Sequence, residues 1–327
     1  MMMSWQLKIL KAILRLYVKP RMGRMKFHGK SLAAARKRIE GLTKRLPMPP
    51  FAGVDPVTAD SVPGEWVLGK NRDGSIADTG NVVLYLHGGG FVACSPRTHR
   101  TITTRLAKYA GCRVLAPDYR LAPEHPFPAA LEDAMTAYRW LLKQNYSPAR
   151  IVIGGDSAGG NLALATLLTI RKEKLPMPAA AVCISPWVNM SRPEGHAWKN
   201  RKADPMLPGN RMAEIARVVL AGEDPYNPVA SPVLADLKGL PPLCIHVGTT
   251  EILFDDVKQL ADNALRDGVD VTFRVFEDTP HVIHAFAPNV PEGRKALNEV
   301  IGFCREQFTR ADAGEKTGGR AKKKRRR

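Results

Sequence analysis

The sequence predicts an α/β protein built on a mostly parallel central sheet with helices on both faces. Three observations carry that reading. Short β-branched runs alternate with longer amphipathic segments over most of the chain. Several of those runs are apolar on both faces, as strands buried on two sides must be. One run leads through a glycine-rich turn directly into a helical pattern, at 151–163. The 327 residues have room for two domains or one large one, at about 100 to 200 residues per domain. A composition of 44% hydrophobic and 24% charged residues excludes a largely disordered or collagen-like chain.

In chain order, Trp5, Ile9, Ala12, Ile13, Leu16 and Tyr17 fall at helical spacing with basic residues interleaved, which predicts a first helix. A second is predicted over 31–45, capped by Ser31, with Leu32, Ala35, Ile39 and Leu42 on one stripe. Prolines 47, 49, 50 and 56 then predict a linker over 47–60, because proline opposes both regular helix and central strand. The strand-like runs are NVVLYLH, CRVLAPDY, RIVIGG, AAAVCIS, PLCIHVG and VTFRVFED, after a weaker EWVLGK. Helices are predicted at 97–110, 128–144, 159–174, 251–267 and 292–309. The stretch 189–229 breaks the rhythm and reads as a helical insertion over the C-terminal edge of the sheet, where ligands bind in such folds. The terminal GEKTGGRAKKKRRR is too polar to bury a face and is expected to be disordered. The domain reading is a basic helical cap segment at 1–50, a main body at 51–310 and a basic tail at 311–327.

The formal charge of +18 sits at the ends. Residues 1–50 carry 13 Lys or Arg against Glu40 alone, and 311–327 carry 8 against 2 acids, while 51–310 balance at 28 each. The basic ends point to peripheral contact with anionic membrane through the N-terminal helix and the C-terminal tail, against the alternative of a packed cap helix and a solvated tail. Specific nucleic-acid binding is not expected, since the clustered tail charges read no sequence and no aromatics interleave them. The five cysteines are scattered through apolar runs without zinc-ligand spacing, which predicts reduced core residues and no structural metal. No run approaches the roughly 18 apolar residues of a membrane span, and the first helix is broken by Lys8, Lys11 and Arg15. With no secretory cleavage pattern, the expected location is cytoplasmic, peripheral to a membrane at most. Oligomeric state is left open, a homodimer included.

The chemistry concentrates in two motifs. Ile151–Ala163 reads strand, then Gly-Asp-Ser157-Ala-Gly, then helix, the setting of a nucleophile elbow. A sharp turn there lifts the Ser157 hydroxyl out of the sheet at a helix N-terminus, where an oxyanion is favoured. The alternative is a glycine-rich turn with a passenger serine. The second motif, His87-Gly-Gly-Gly90-Phe91, follows the strand NVVLYL. Consecutive glycines are entropically costly, so bare backbone must be needed. Acyl transfer supplies that need if the N–H groups of Gly88, Gly89 and Ala158 converge on a developing oxyanion. A phosphate loop is disfavoured because neither G-x-G-x-x-G nor a P-loop is present.

With HGGGF at 87–91, DYRLAPEHPFPAALED at 118–133, GDSAGGN at 155–161, SPW at 185–187, and the GTTEILFDD and HVIHAF runs, the chain resembles the hormone-sensitive-lipase-like bacterial carboxylesterases of the α/β-hydrolase superfamily. The resemblance spans about residues 30–308. It implies an α/β-hydrolase fold with an N-terminal helical cap, completed by the 189–229 insertion, over a catalytic domain at 51–310. It also implies a serine carboxylesterase acting on short- to medium-chain acyl esters, with no metal or organic cofactor. Of eight histidines, His281 and His284 follow the last strand, and the resemblance selects His281 as base, with His284 a neighbour closing the pocket. For the acid, Glu251, Asp255 and Asp256 all follow PLCIHVG. Relatives carry an aspartate thirty residues before the histidine, which favours Glu251, with Asp255 the alternative. Phe91 and Trp187 are candidate pocket residues, and Arg120 with Glu124 is expected to tie a loop to the body. An amidase or deacetylase of the same fold, or a non-catalytic ligand-binding homologue, are the competing readings.

Overall fold

In the computed structural model, which describes residues 3–76, 79–191 and 197–324 (backbone only for 197, 198 and 314–324), the six apolar runs become parallel strands of one eight-stranded sheet. The strands are β1 (Ala52–Ala59), β2 (Val62–Gly69), β3 (Val82–Leu86), β4 (Arg113–Pro117), β5 (Ile151–Asp156), β6 (Ala180–Ile184), β7 (Leu243–Gly248) and β8 (Val271–Phe276). Their order is β1-β2-β4-β3-β5-β6-β7-β8, with β1 and β2 antiparallel. Every residue of β3, β5, β6 and β7 is buried, which is why these runs show no polar alternation.

The sheet feeds two cores with the period of two that a strand imposes. From β3, Leu84 and Leu86 face one core while Val83 and Tyr85 face the other. The first is closed by α5 (Ala129–Lys143), α6 (Ala158–Lys172) and α9 (Phe254–Arg266), the second by α4 (Arg100–Ala110) and α10 (Pro291–Lys324). Ahead of the sheet lie α1 (Trp5–Ile13), a π-turn (Leu14–Val18), α2 (Lys19–Arg24) and α3 (Gly29–Lys44). The insertion contributes α7 (Ala197–Asn200) and α8 (Met212–Leu220), with 192–196 outside the described residues.

Three expectations are corrected. The segment taken as a linker contains β1, with Pro56 opposite Glu65. An edge strand has one side free of ladder bonds, so a proline there sacrifices none. Ser31 does not cap the second helix, which starts at Gly29; its hydroxyl instead accepts from Lys26 N–H at 3.3 Å. Finally, α10 runs past residue 309 to Lys324, into the segment expected to be disordered. Ala311, Ala313, Glu315 and Lys316 favour helix, and extending an existing helix needs no new nucleus.

The N-terminal helices are fastened to the body by polar clasps. Ser4 donates its N–H and hydroxyl to Glu292 (both 2.7 Å), and Lys11 reaches Asp278 at 2.5 Å. Leu7 packs with Phe276, Ile283, Val290 and Ala296. From α3, Arg36 donates to the carbonyls of Val92 and Ala122 and to Glu124.

The start of α6 packs tightly against the end of β3. A Cβ on Gly159 would lie 1.9 Å from the Leu86 carbonyl oxygen. Since backbone cannot swing aside, Gly159→Ala is expected to lose about 3 kcal/mol in urea unfolding. Gly302→Ala, in the exposed interior of α10 with nothing within 4 Å, is expected to gain about 1 kcal/mol in the same measurement.

Candidate active site

Strand β5 ends at Asp156, and Ser157 turns the chain with φ 54° and ψ −120° before α6 begins at Ala158. A non-glycine residue in this region costs of order 1–3 kcal/mol and persists only where its surroundings enforce it. Here they do: Ser157 N–H donates to the Ile184 carbonyl (2.8 Å), and its own carbonyl accepts from Gly160, Asn161 and Trp187 N–H at 3.1, 3.2 and 3.0 Å. Ser157 is partly exposed between two buried neighbours, at the C-terminal edge of the sheet.

The next residue along β6's edge, Ser185, leads to the histidine. Its hydroxyl donates to Glu251 Oε1 (2.7 Å) and accepts from Val282 N–H (3.3 Å). Glu251 Oε1 also accepts from Gly248 N–H at 2.6 Å, and Oε2 lies 2.6 Å from His281 Nδ1. His281 is 3% and Glu251 1% exposed, so this is a carboxylate in the interior whose oxygens are all engaged. The pairing places the Nδ1 proton toward Glu251 and leaves Nε2 as the basic nitrogen. Burial alone would lower the His281 pKa, but the hydrogen bond and charge of Glu251, with Asp204 and Asp156 adding, outweigh it and hold the pKa above the ordinary 6.5.

The alternative acid goes elsewhere. Asp255, in the first turn of α9, faces Lys199 Nζ at 3.6 Å, and Asp256 accepts from Asn189 Nδ2 at 3.0 Å. In the glycine motif the three N–H groups are not equivalent. Gly88 N–H points at Asp156 Oδ1 and His99 Nε2, both at 3.2 Å, so it faces inward and is not free for an oxyanion. Gly89 and Gly90 follow with φ 123° and 64°, and among the described residues no protein acceptor takes their N–H groups. The Ala158 N–H heads α6, where helix geometry supplies no acceptor.

A buried network sets that loop. Asp156 accepts from the Tyr85 hydroxyl at 2.8 Å and pairs with His99 Nε2 at 3.2 Å. Burial opposes charge on both, yet their mutual attraction lowers the Asp156 pKa and raises that of His99. The His87 ring lies flat on Tyr119, centroids 4.2 Å apart, and the Tyr119 hydroxyl donates to the His87 carbonyl at 2.5 Å. Burial, with the charge of His99 adding, pushes His87 down to about 3, so it is neutral.

The remaining expected residues separate. Phe91 lines an apolar cavity beside α6, with Phe127, Asn161, Leu162, Met190 and Val219. Trp187 does not line it; the side chain is buried and its indole N–H donates to the Asn189 carbonyl at 3.1 Å. His284 does not close the pocket either. It is buried against His246, Nε2 to Nδ1 3.0 Å, and against Phe276, where burial pushes its pKa to about 3. Arg120 binds Asp133 and Glu132 of α5, while Glu124 is held by Arg36, so the loop is tied down by two pairs and not by Arg120 with Glu124. His196 lies outside the described residues.

No pattern in the sequence marks the residues with which the insertion grips the acid loop. Asn200 Nδ2 donates to the Thr249 and Glu251 carbonyls at 3.1 and 2.8 Å. Asp204, fully buried, accepts from Met206, Leu207 and Ile252 N–H at 2.8, 2.9 and 3.0 Å, and Lys19 donates to its carbonyl at 2.6 Å. Burial raises the Asp204 pKa against the opposing pull of those N–H groups. Asp204→Ala leaves buried donors unsatisfied and is expected to cost about 3 kcal/mol, read by denaturant unfolding.

Comparison with known proteins places these features in context. A family model described as alpha/beta hydrolase fold matches residues 83–285. An acetyl-hydrolase of Streptomyces hygroscopicus is 45% identical over 252 residues, 77% of this chain and 82% of that protein. An esterase of Acinetobacter venetianus is 32% identical, covering 83% and 88%. Among solved structures, an esterase from the bacterial hormone-sensitive lipase family superposes with a TM-score of 0.85 at 41% identity, covering 94% of this chain and all of that one, 100%.

Proposed function

Because the chain belongs to the hormone-sensitive-lipase-like branch of the α/β-hydrolases and is a carboxylic-ester hydrolase, we propose that Ser157, His281 and Glu251 carry a two-step acyl transfer. The observation that carries this reading is the buried Glu251–His281 pair at 2.6 Å, reached through Ser185 from the same edge that holds the strained Ser157 turn. Serine is a weak nucleophile at its free pKa, so a base must take its proton as it attacks the ester carbonyl. His281 Nε2 is that base, and Glu251 fixes the tautomer and stabilises the imidazolium.

The tetrahedral oxyanion is met by the N–H groups of Ala158, Gly89 and Gly90, with Gly88 holding the loop from behind through Asp156. Collapse expels the alcohol, which takes the proton back from His281. Water then repeats the attack on the acyl-Ser157 ester with His281 again as base, releasing the acid. We assign the acyl chain to the cavity beside Phe91, Leu162, Met190 and Val219, because its Asn161 and Leu162 lie near the start of α6, the helix that follows Ser157. The domain at 51–310 is the catalytic unit, and α1 to α3 with the insertion at 189–229 form its cap.

Initial rates on p-nitrophenyl esters from acetate to palmitate test this reading. Ser157→Ala should lose at least about 10⁴-fold in kcat. Glu251→Gln should lose about 10⁴-fold, and Asp255→Ala no more than about twofold, since Asp255 only pairs with exposed Lys199. Retained turnover in Ser157→Ala would overturn the assignment. Ligand binding without turnover of any ester, amide or acetyl sugar would favour the binding homologue.

Catalysis needs neutral His281, so kcat/KM should climb with pH through a midpoint above 6.5. In Glu251→Gln the residual activity should climb at lower pH, because burial then acts without the neighbouring charge. An unmoved limb would place the titrating group elsewhere.

A further inference from the structure

The first helix is apolar on two opposite faces, and only one of them meets the protein. Leu7 and Leu14 are buried toward the body, while Trp5, Ile9, Ile13, Leu16 and Tyr17 point away, exposed by 67, 50, 47, 68 and 57%. Singly exposed apolar side chains are ordinary, but five along one stripe of one helix form a patch. Beside it Lys8, Arg15, Arg21 and Arg24 are exposed, and among the described residues none of them pairs with a carboxylate.

We propose that this outer face of α1 and its π-turn docks the enzyme on an anionic lipid bilayer, the helix lying in the headgroup plane with Trp5, Ile9, Ile13, Leu16 and Tyr17 in the interface. Charge selects the occupant. Residues 1–50 hold 13 basic side chains and one acid, so a second copy on the same face would bring two such fields together, whereas an anionic surface neutralises each. The helix lies on the surface without crossing it, since no helix among the described residues is long and apolar enough to span. Docking carries the body along, because Ser4, Lys11 and Lys19 clasp Glu292, Asp278 and the Asp204 carbonyl. Asp278 lies three residues before His281, so the docked helix borders the histidine loop. The inference goes beyond the hydrolytic reading and does not rest on it.

Co-sedimentation of the full chain with phosphatidylglycerol–phosphatidylcholine vesicles, against phosphatidylcholine alone, tests it. The wild type should partition to the anionic vesicles. The triple variant Trp5→Ser, Ile9→Ser, Leu16→Ser, which keeps every charge and therefore every contribution of the basic tail, should lose at least about tenfold in partition coefficient. Its hydrolysis of a soluble ester without vesicles should be unchanged, which also verifies folding; if it does not fold, Ile13→Ser with Tyr17→Ser replaces it. Equal binding by triple variant and wild type would overturn the proposal in favour of charge alone. Absence of wild-type binding would overturn it too, and a dimer in light scattering that the triple variant splits would then identify a second copy as the occupant.

Discussion

The backbone bonds of Ser157 are the constraint on which the rest of this site depends. A β-to-α turn with a positive φ at a serine would relax if left to itself. It is held because its N–H and carbonyl are spliced onto the end of the neighbouring strand, at Ile184 and Trp187. That splice fixes Ser157 relative to Ser185, and the Ser185 hydroxyl in turn meets both Glu251 and the backbone of the histidine loop. Three loops from three strands are thereby referenced to one short segment following β6. The regular sheet beneath transmits that reference rigidly, since its central strands are buried throughout.

Three interior carboxylates surround this centre, and each avoids the cost of burial differently. Asp156 has a partner that can be cationic, His99, together with a tyrosine hydroxyl. Glu251 has an imidazole, a hydroxyl and a backbone N–H. Among the described residues the Asp204 carboxylate meets backbone N–H groups, and its pKa is raised where that of Asp156 is lowered. The comparison follows the general rule that removing an interior charge from water is tolerable when its lone pairs are filled, and that a countercharge decides whether the ionised form is favoured. Residues 51–310, which hold all three, balance in formal charge, and the chain's positive excess sits in the terminal segments.

The parallel strands were legible because burial on two faces leaves an uninterrupted apolar signature, and the Ser157 turn because its glycines flank a strand-to-helix boundary. β1 was hidden by Pro56, since whether a proline matters depends on which side of a strand is an edge, a property of the sheet and not of the segment. The three glycines after His87 are chemically identical in sequence. Only the position of the Asp156 carboxylate separates the inward N–H of Gly88 from those of Gly89 and Gly90. Asn200 and Asp204 left no trace because the acid loop they hold lies about fifty residues on, and the sequence does not show that one short turn carries His284 against His246 and Phe276. The choice of Glu251 over Asp255 came from the resemblance; Glu251 lies 2.6 Å from His281 Nδ1, while Asp255 faces Lys199.

The clasp between Ser4 and Glu292 joins positions 288 residues apart. Its consequence is one of timing. On the ribosome α1 emerges well ahead of Phe276, Asp278, Ile283 and Glu292, which hold its inner face: Lys11 precedes Asp278 by 267 residues and Ser4 precedes Glu292 by 288. Through most of synthesis the helix therefore has neither face covered, and its inner apolar stripe is available to chaperones or to nascent neighbours until the C-terminal helix arrives. A helix made this far ahead of its seat is among the latest to be seated, so a truncation ahead of Glu292 would be felt first at α1.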